Sequence, residues 1–352
     1  MRSAAARCLL AFVFASGLSQ AWADEIVIGV AAPLSGPSAI LGEQIKAGAE
    51  AAFTAGIRLE IADDACTAEG GESAARQFVA AKTAIVIGFL CTEAIEAALP
   101  ILKDASIPVI DVGVRTDSLT DRREKTGWPI YRIAPRSDAE RMAAGTILTR
   151  LWRSELFAIV DDGTIYGREL AESFRIAAEQ LGLKPVFIDN FRPGLENQVG
   201  IVGRLRRSGA TKVFVGGDRD DIAIMTQDAA RLNAGMIFAS GENLRAPGDV
   251  PLANGTLMIG LPEWSEVSDA GTLAAFREKG IEPDGYTMPA YAAVEIAREA
   301  VASGKPISEA LQNDEFATVI GTIRFDEKGD VSQNPYRLFR VKGSNFIPVE
   351  RQ

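Results

Sequence analysis

The chain of 352 residues contains no histidine. That absence removes the Ser-His-Asp triad, the Cys-His nucleophile pair and metal sites built on imidazole. Carboxylate-based and lysine-based chemistry stay open. Cysteine is nearly as scarce, at three residues. Positive charge is short too: 37 Lys and Arg against 47 Asp and Glu give a formal charge of −10, with no basic stripe. An acidic protein repels phosphate backbones, so nucleic acid is a poor partner. No Walker phosphate loop occurs, and no G-x-G-x-x-G follows a strand pattern. Gly216-Gly217 reads as a strand-end turn rather than a cofactor loop. No cofactor and no metal are expected. Heptads, low-complexity tracts and short-period repeats are also missing.

Long apolar runs are missing as well. Arg2 and Arg7 precede the run Cys8–Ala15, and Ala21-Trp22-Ala23 places small residues just ahead of Asp24. Basic, apolar, then small-x-small is the order of a secretory signal peptide, here 1–23, which implies export to an oxidising compartment. The run is too short for a bilayer, which needs ~20 apolar residues. No cysteine follows the cleavage point, so no lipid anchor is expected there. Removing 1–23 leaves 329 residues and a charge of −12, since Arg2 and Arg7 go with the segment. That length suggests two domains of ~150 residues each. An apolar content of 47% is enough for packed cores. Cys66 and Cys91 remain after cleavage, and an even pair in an oxidising compartment reads as a disulfide. Two isolated cysteines do not complete a zinc site, and no histidine is present to activate a thiol.

What is present is a regular alternation of strand and helix patterns. Ile26–Val30, Arg58–Ile61, Ala84–Gly88 and Val109-Ile110 read as strands, separated by helical spacing through Ile45/Ala49/Phe53, Ala74/Phe78 and Ile95/Leu99/Leu102. A second block repeats this, with strands at Phe157–Val160, Pro185–Ile188, Lys212–Val215 and Met236–Ala239. Helices follow around Leu273–Phe276 and Tyr291–Val301, and a C-terminal strand pair is expected from Thr322–Phe325 and Tyr336–Val341. The fold class is therefore α/β, with two successive doubly wound parallel-sheet units.

In open parallel sheets, ligands bind beyond the carboxyl ends of the strands. That rule selects the loops 32–38, 63–66, 89–92, 111–115, 161–166, 216–221 and 241–243, which are rich in Asp, Tyr, Arg and Thr. Leu90-Cys91-Thr92 ends a strand and opens a helix, whose free N–H groups suit a ligand carboxylate; the alternative is a plain helix cap. Glu242 could take a ligand ammonium group through a charge-assisted hydrogen bond. Tyr166 and Tyr286 could wall a cleft, or simply pack.

With these residues in view, the chain resembles the periplasmic binding proteins of ABC importers, in the leucine/isoleucine/valine-binding branch. The matching stretches are Ile28-Gly29-Val30 with Pro33-Leu34-Ser35-Gly36-Pro37, Gly42-Glu43-Gln44, Asp63-Asp64-Ala65-Cys66, Gly88-Phe89-Leu90-Cys91, Ile165-Tyr166-Gly167, Val215-Gly216-Gly217 and Phe325–Asp330. They run in order over nearly the whole mature chain. The resemblance implies a type I fold with three crossovers, near Pro135, Pro262 and Asp330–Arg337. One lobe would be 24–135 with 263–332, the other 136–262 with 333–352. It implies closure on a small ligand by hinge motion, for delivery to a membrane permease, with the protein a monomer. Carried over by position, the carboxylate site falls on Thr92 and the backbone at Gly113 and Arg115. The ammonium-binding acid falls on Glu242. Tyr166, Asp218 and Tyr286 fall on pocket positions, and Leu41 and Leu90 on wall positions. Arg115, Asp218 and Leu41 depart from the residues usual there, which points to a ligand more polar than leucine, with Arg115 clamping an acidic group.

Three readings compete. The leading one is a substrate-binding component that captures an amino acid or related carboxylate and breaks no bond. A second is a ligand-sensing receptor of the same fold acting through a separate signalling partner. A third is a secreted enzyme using Asp63, Asp64 or Glu242; the first two, at a strand end close before Cys66, suit loop positioning better.

Overall fold

The computed structural model describes residues 25–350 apart from residue 55, so the expected signal segment lies outside the described residues. Among those described, no helix is long and apolar enough to cross a membrane.

Five strands open the chain: β1 (Ile26–Ala32), β2 (Ile57–Asp63), β3 (Ile85–Gly88), β4 (Val109–Asp111) and β5 (Ile130–Arg132). They form one parallel sheet in the order β2-β1-β3-β4-β5. Strands β3, β4 and β5 are buried along their whole length, as a parallel sheet covered on both faces requires. The helices Ala39–Ala51 and Thr287–Ala302 cover one face, where Ile45, Ala49, Ala290, Ala293 and Ala297 meet Ile28 and Val30. Their approach is close: a side chain at Gly48 would lie 2.0 Å from the Thr287 carbonyl oxygen. The helices Ala68–Ala80 and Thr92–Asp104 cover the other face through Phe78, Ile95 and Leu99. A disulfide joins Cys66, in the turn after β2, to Cys91, which precedes the helix Thr92–Asp104.

The second sheet holds β6 (Phe157–Asp161), β7 (Phe187–Asn190), β8 (Lys212–Gly216), β9 (Ile237–Ser240) and β10 (Leu257–Gly260), all parallel. The short pair β11 (Phe316–Thr318) and β12 (Gly321–Ile323) stands apart. Strands β13 (Arg337–Lys342) and β14 (Asn345–Pro348) extend the second sheet antiparallel to β10, giving the order β14-β13-β10-β9-β8-β6-β7. An aromatic cluster of Trp152, Phe157, Phe174 and Phe214 packs one of its faces.

The expected C-terminal strand pair does not form. Gly321–Ile323 pairs with Phe316–Thr318, whereas Arg337–Lys342 pairs with β10 and β14. The reason is packing: Phe325 is buried in the first core, edge-on to Tyr131 at 5.2 Å, while Phe339 is buried in the second. The chain between them is a passage from one lobe to the other, not a hairpin turn. Two strands also begin later than their patterns suggest, at Phe187 and Ile237.

Strand register places the chemistry. Gly88 pairs with Asp111 and Asp111 with Arg132, so the loops leaving β3, β4 and β5 emerge side by side. Asp161 aligns likewise with Gly216.

Candidate ligand-binding cleft

Between the two sheets lies a cavity of about 970 Å³. Gly113, Arg115, Glu242 and Tyr286 all line it, together with Met142, Trp264 and the passages at Pro135, Pro262 and Pro335. Four of the sequence-derived candidates thus share one space. Leu90 belongs beside them, because a side chain at Gly113 would collide with Leu90 Cδ2 at 2.2 Å and meet Tyr286 Cε1 at 3.2 Å. Glycine is needed there for close packing.

On the first-lobe side, Thr92 is the first residue of the helix Thr92–Asp104, and the cap position before it, Cys91, supplies no side-chain bond. The Thr92 hydroxyl is 2.7 Å from the Thr116 hydroxyl, so it does not act as a helix cap. Gly113 differs from expectation. Its N–H is donated to Asp111 Oδ1, as is that of Val114, at 3.1 and 2.9 Å. The Gly113 N–H therefore points into the protein rather than at a ligand. Asp111 itself is fully buried, and burial pushes its carboxyl up to about 7. Arg115 reaches out of this loop: Nε donates to the Pro135 carbonyl at 3.2 Å and Nη2 to the Tyr336 hydroxyl at 2.5 Å.

The second-lobe side is acidic. Glu242 begins a short turn after β9. Its Oε2 accepts from the Tyr336 hydroxyl at 3.1 Å and its Oε1 from the Leu261 N–H at 3.2 Å. Glu140 stands behind it. One oxygen, Oε1, accepts from the Glu242 N–H at 2.6 Å and from the Tyr166 hydroxyl at 3.0 Å. Burial raises the Glu140 carboxyl above its ordinary value, and the neighbouring Glu242 charge adds to the effect. Tyr166 and Tyr336 are likewise raised, first by burial, so both phenols stay protonated donors. A side chain at Gly241 would strike Glu140 Oε1 at 2.1 Å and the Tyr166 hydroxyl at 2.5 Å, so the glycine makes room for this pair.

Among the sequence-derived candidates, Leu41, Thr92, Tyr166 and Asp218 do not line the cavity. Leu41 is exposed on the helix Ala39–Ala51, and Asp218 is exposed just before the helix Arg219–Arg231. Asp63 and Asp64 shape a loop: Asp63 Oδ1 accepts the N–H groups of Leu34 and Ala65, and Asp64 Oδ1 that of Cys66. Reasoning from strand tips missed Glu140 and Tyr336. Neither follows a strand, since Glu140 sits in the first turn of the helix Ala139–Leu151 and Tyr336 just before β13.

The cavity places the Arg115 guanidinium and the Tyr286 phenol on one side and the Glu242 side chain on the other, which suits a small dipolar molecule. The sequence profile described as periplasmic binding protein matches residues 25–345. The chain belongs to that family. A protein named Leu/Ile/Val-binding protein homolog 2, from Brucella abortus (strain 2308), is 30% identical over 94% of both chains. Among solved structures, an ABC transporter substrate-binding protein from Desulfitobacterium hafniense in complex with Leu matches with a TM-score of 0.64 and 21% identity, covering 92% of this chain and 99% of that one. A solute-binding protein of an ABC transporter from Rhodopseudomonas palustris HaA2, in complex with p-hydroxybenzoic acid, matches at 0.60 and 19%, covering 93% and 96%. The family member described here shares their α/β architecture of two lobes.

Proposed function

We propose that this periplasmic binding protein captures an amino acid or related small carboxylate between its lobes and hands it to the permease of an ABC importer. The observation that carries the reading is the convergence of Arg115 and Glu242 on one cavity, with Thr92 tied to the Arg115 loop through Thr116. The ligand carboxylate would meet Thr92 and the open helix end behind it, and the ligand ammonium would meet Glu242. Arg115 would bind a further acidic group, Tyr286 and Leu90 would wall the site, and Tyr166 would act through Glu140. The lobes would be 24–135 with 263–332 and 136–262 with 333–352, exported by the segment 1–23. The names of the relatives, which include a leucine complex, support this class of ligand.

Thermal unfolding of purified 24–352 against the amino acids and small carboxylates tests the reading. A true ligand at 100 times its Kd stabilises by ~2.7 kcal/mol. Stabilisation by none of them contradicts it. Arg115→Ala should weaken the best acidic ligand at least about tenfold by calorimetry, as loss of a charge-assisted bond does; unchanged affinity would remove Arg115 from the site. A second reading, an aromatic carboxylate without an ammonium group, is favoured by the p-hydroxybenzoic acid complex and by Tyr286 and Trp264 in the cavity wall. It predicts binding that survives Glu242→Gln.

A further inference from the structure

Arg132 is the one arginine among the described residues with no solvent exposure at all. It is the last residue of β5 and stands where the chain leaves the first lobe. A guanidinium is costly to bury, and apolar residues of similar volume often serve stability as well, so what its hydrogen bonds hold is informative. Nε donates to Asp330 Oδ1 at 2.7 Å, and Nη2 lies 2.6 Å from the same oxygen. Nη2 also donates to Thr120 Oγ1, and Nη1 to the Thr116 carbonyl, both at 2.7 Å. The backbone adds a bond from the Arg132 N–H to the Gly329 carbonyl at 2.7 Å and a parallel bridge between Arg132 and Asp330. Asp330 is itself buried, and its Oδ2 accepts from Thr120 at 2.8 Å and from Arg136 at 3.0 Å.

Two things meet at this guanidinium. One is the pair of chain passages between lobes, since Arg132 opens the first and Asp330 the third. The other is the loop after β4. Asp111 grips that loop by the N–H groups of Gly113 and Val114, and Arg132 grips it by the Thr116 carbonyl. Thr116 holds the Thr92 hydroxyl, and Arg115, one residue earlier, reaches Tyr336 at the far end of the third passage. A planar fork with fixed donor directions can serve all these acceptors at once, which a lysine cannot.

We propose that Arg132, paired with Asp330, is a positioning residue for ligand capture: it sets the loop Asp111–Thr116 and ties that loop to the first and third passages so that they move together. It touches no ligand. The inference rests on the proposed cleft for its purpose, but its geometry is testable without any ligand.

The test is amide hydrogen exchange on ligand-free 24–352, comparing wild type, R132K and D330N. The Gly113 and Val114 amides are bonded to Asp111 and exchange when the loop opens. The β1 amides of Ile28 and Val30 report opening of the core. Exchange at 113 and 114 should accelerate at least tenfold in both variants, with the β1 amides much less affected. In parallel, Kd is measured for L-leucine, L-glutamate and p-hydroxybenzoate, and the best wild-type binder should weaken at least tenfold in R132K. Equal acceleration of loop and β1 amides would mean a merely structural ion pair and overturn the proposal. So would unchanged loop exchange. If R132K and D330N do not fold, T120V, which removes one hydroxyl of the network, supplies the same comparison and is read the same way. If no probe binds wild type, the cleft assignment fails while the exchange result still decides the positioning claim.

Discussion

Glu242 is held by contacts that fix the direction of its side chain. Tyr336 and the Leu261 N–H each take one oxygen, and Glu140 anchors the backbone beneath. Glu242→Gln keeps the shape and removes the charge. A hydrogen bond to a charged group is worth ~1.5–3 kcal/mol, so affinity for an amino-acid ligand should fall roughly 10- to 150-fold, read by calorimetry. Tyr336→Phe should cost less, because it frees the carboxylate without discharging it. Asp111 makes a separate prediction. Its folded-state value of about 7 lies above the unfolded value of ~3.9. The proton is bound more tightly in the folded protein, so the stability linked to it is full below pH ~4 and is lost as pH rises through 7. Asp111→Asn can still accept the Gly113 and Val114 N–H groups but does not titrate. Relative to wild type it should gain on the order of 2 kcal/mol between pH 5 and pH 8 in urea unfolding. A constant difference would contradict a buried, titrating Asp111. At this scale the sequence was legible where a residue follows a strand. Arg115 and Glu242 were selected that way, and both line the cavity. Glu140 and Tyr336 were not, because their value comes from partners 102 and 94 residues distant, Glu242 in both cases. The direction of the Gly113 N–H was also hidden, since only the turn around Asp111 decides it.

Elements were easier to read, since a strand buried on both faces is nearly continuous apolar sequence. Ile85–Gly88 and Lys212–Gly216 stand out for that reason. The misread pair near the C-terminus had good strand patterns but joined different sheets, and local alternation carries no information about which sheet a strand enters. The disulfide fixes one element end directly. It links residues 25 apart and anchors the start of the helix Thr92–Asp104 to the turn after β2. Removing it with Cys66→Ala and Cys91→Ala should cost about 3–4 kcal/mol by loop entropy, measured by urea unfolding of oxidised protein against the double variant. It should also weaken ligand binding, because Thr92 begins the tethered helix. Helix contact is equally specific at Gly48. With the Thr287 carbonyl 2.0 Å from where a side chain would begin, Gly48→Val should destabilise by roughly 1–3 kcal/mol or more, as overpacking does.

At the scale of the whole molecule, two sheets with separate cores are joined by three passages that line the same cavity as Arg115 and Glu242. A ligand that touches both sides favours the closed arrangement by the difference in its affinity for closed and open forms, and by no other means. Single-sided contact would leave the lobes where they are. The most direct test is small-angle X-ray scattering of 24–352 titrated with the amino acid or carboxylate that stabilises it most. Wild type should show a smaller radius of gyration when saturated, and Glu242→Gln should need a correspondingly higher concentration to reach it. Saturated binding, proven by calorimetry in the same sample, with no change in radius would contradict capture between closing lobes.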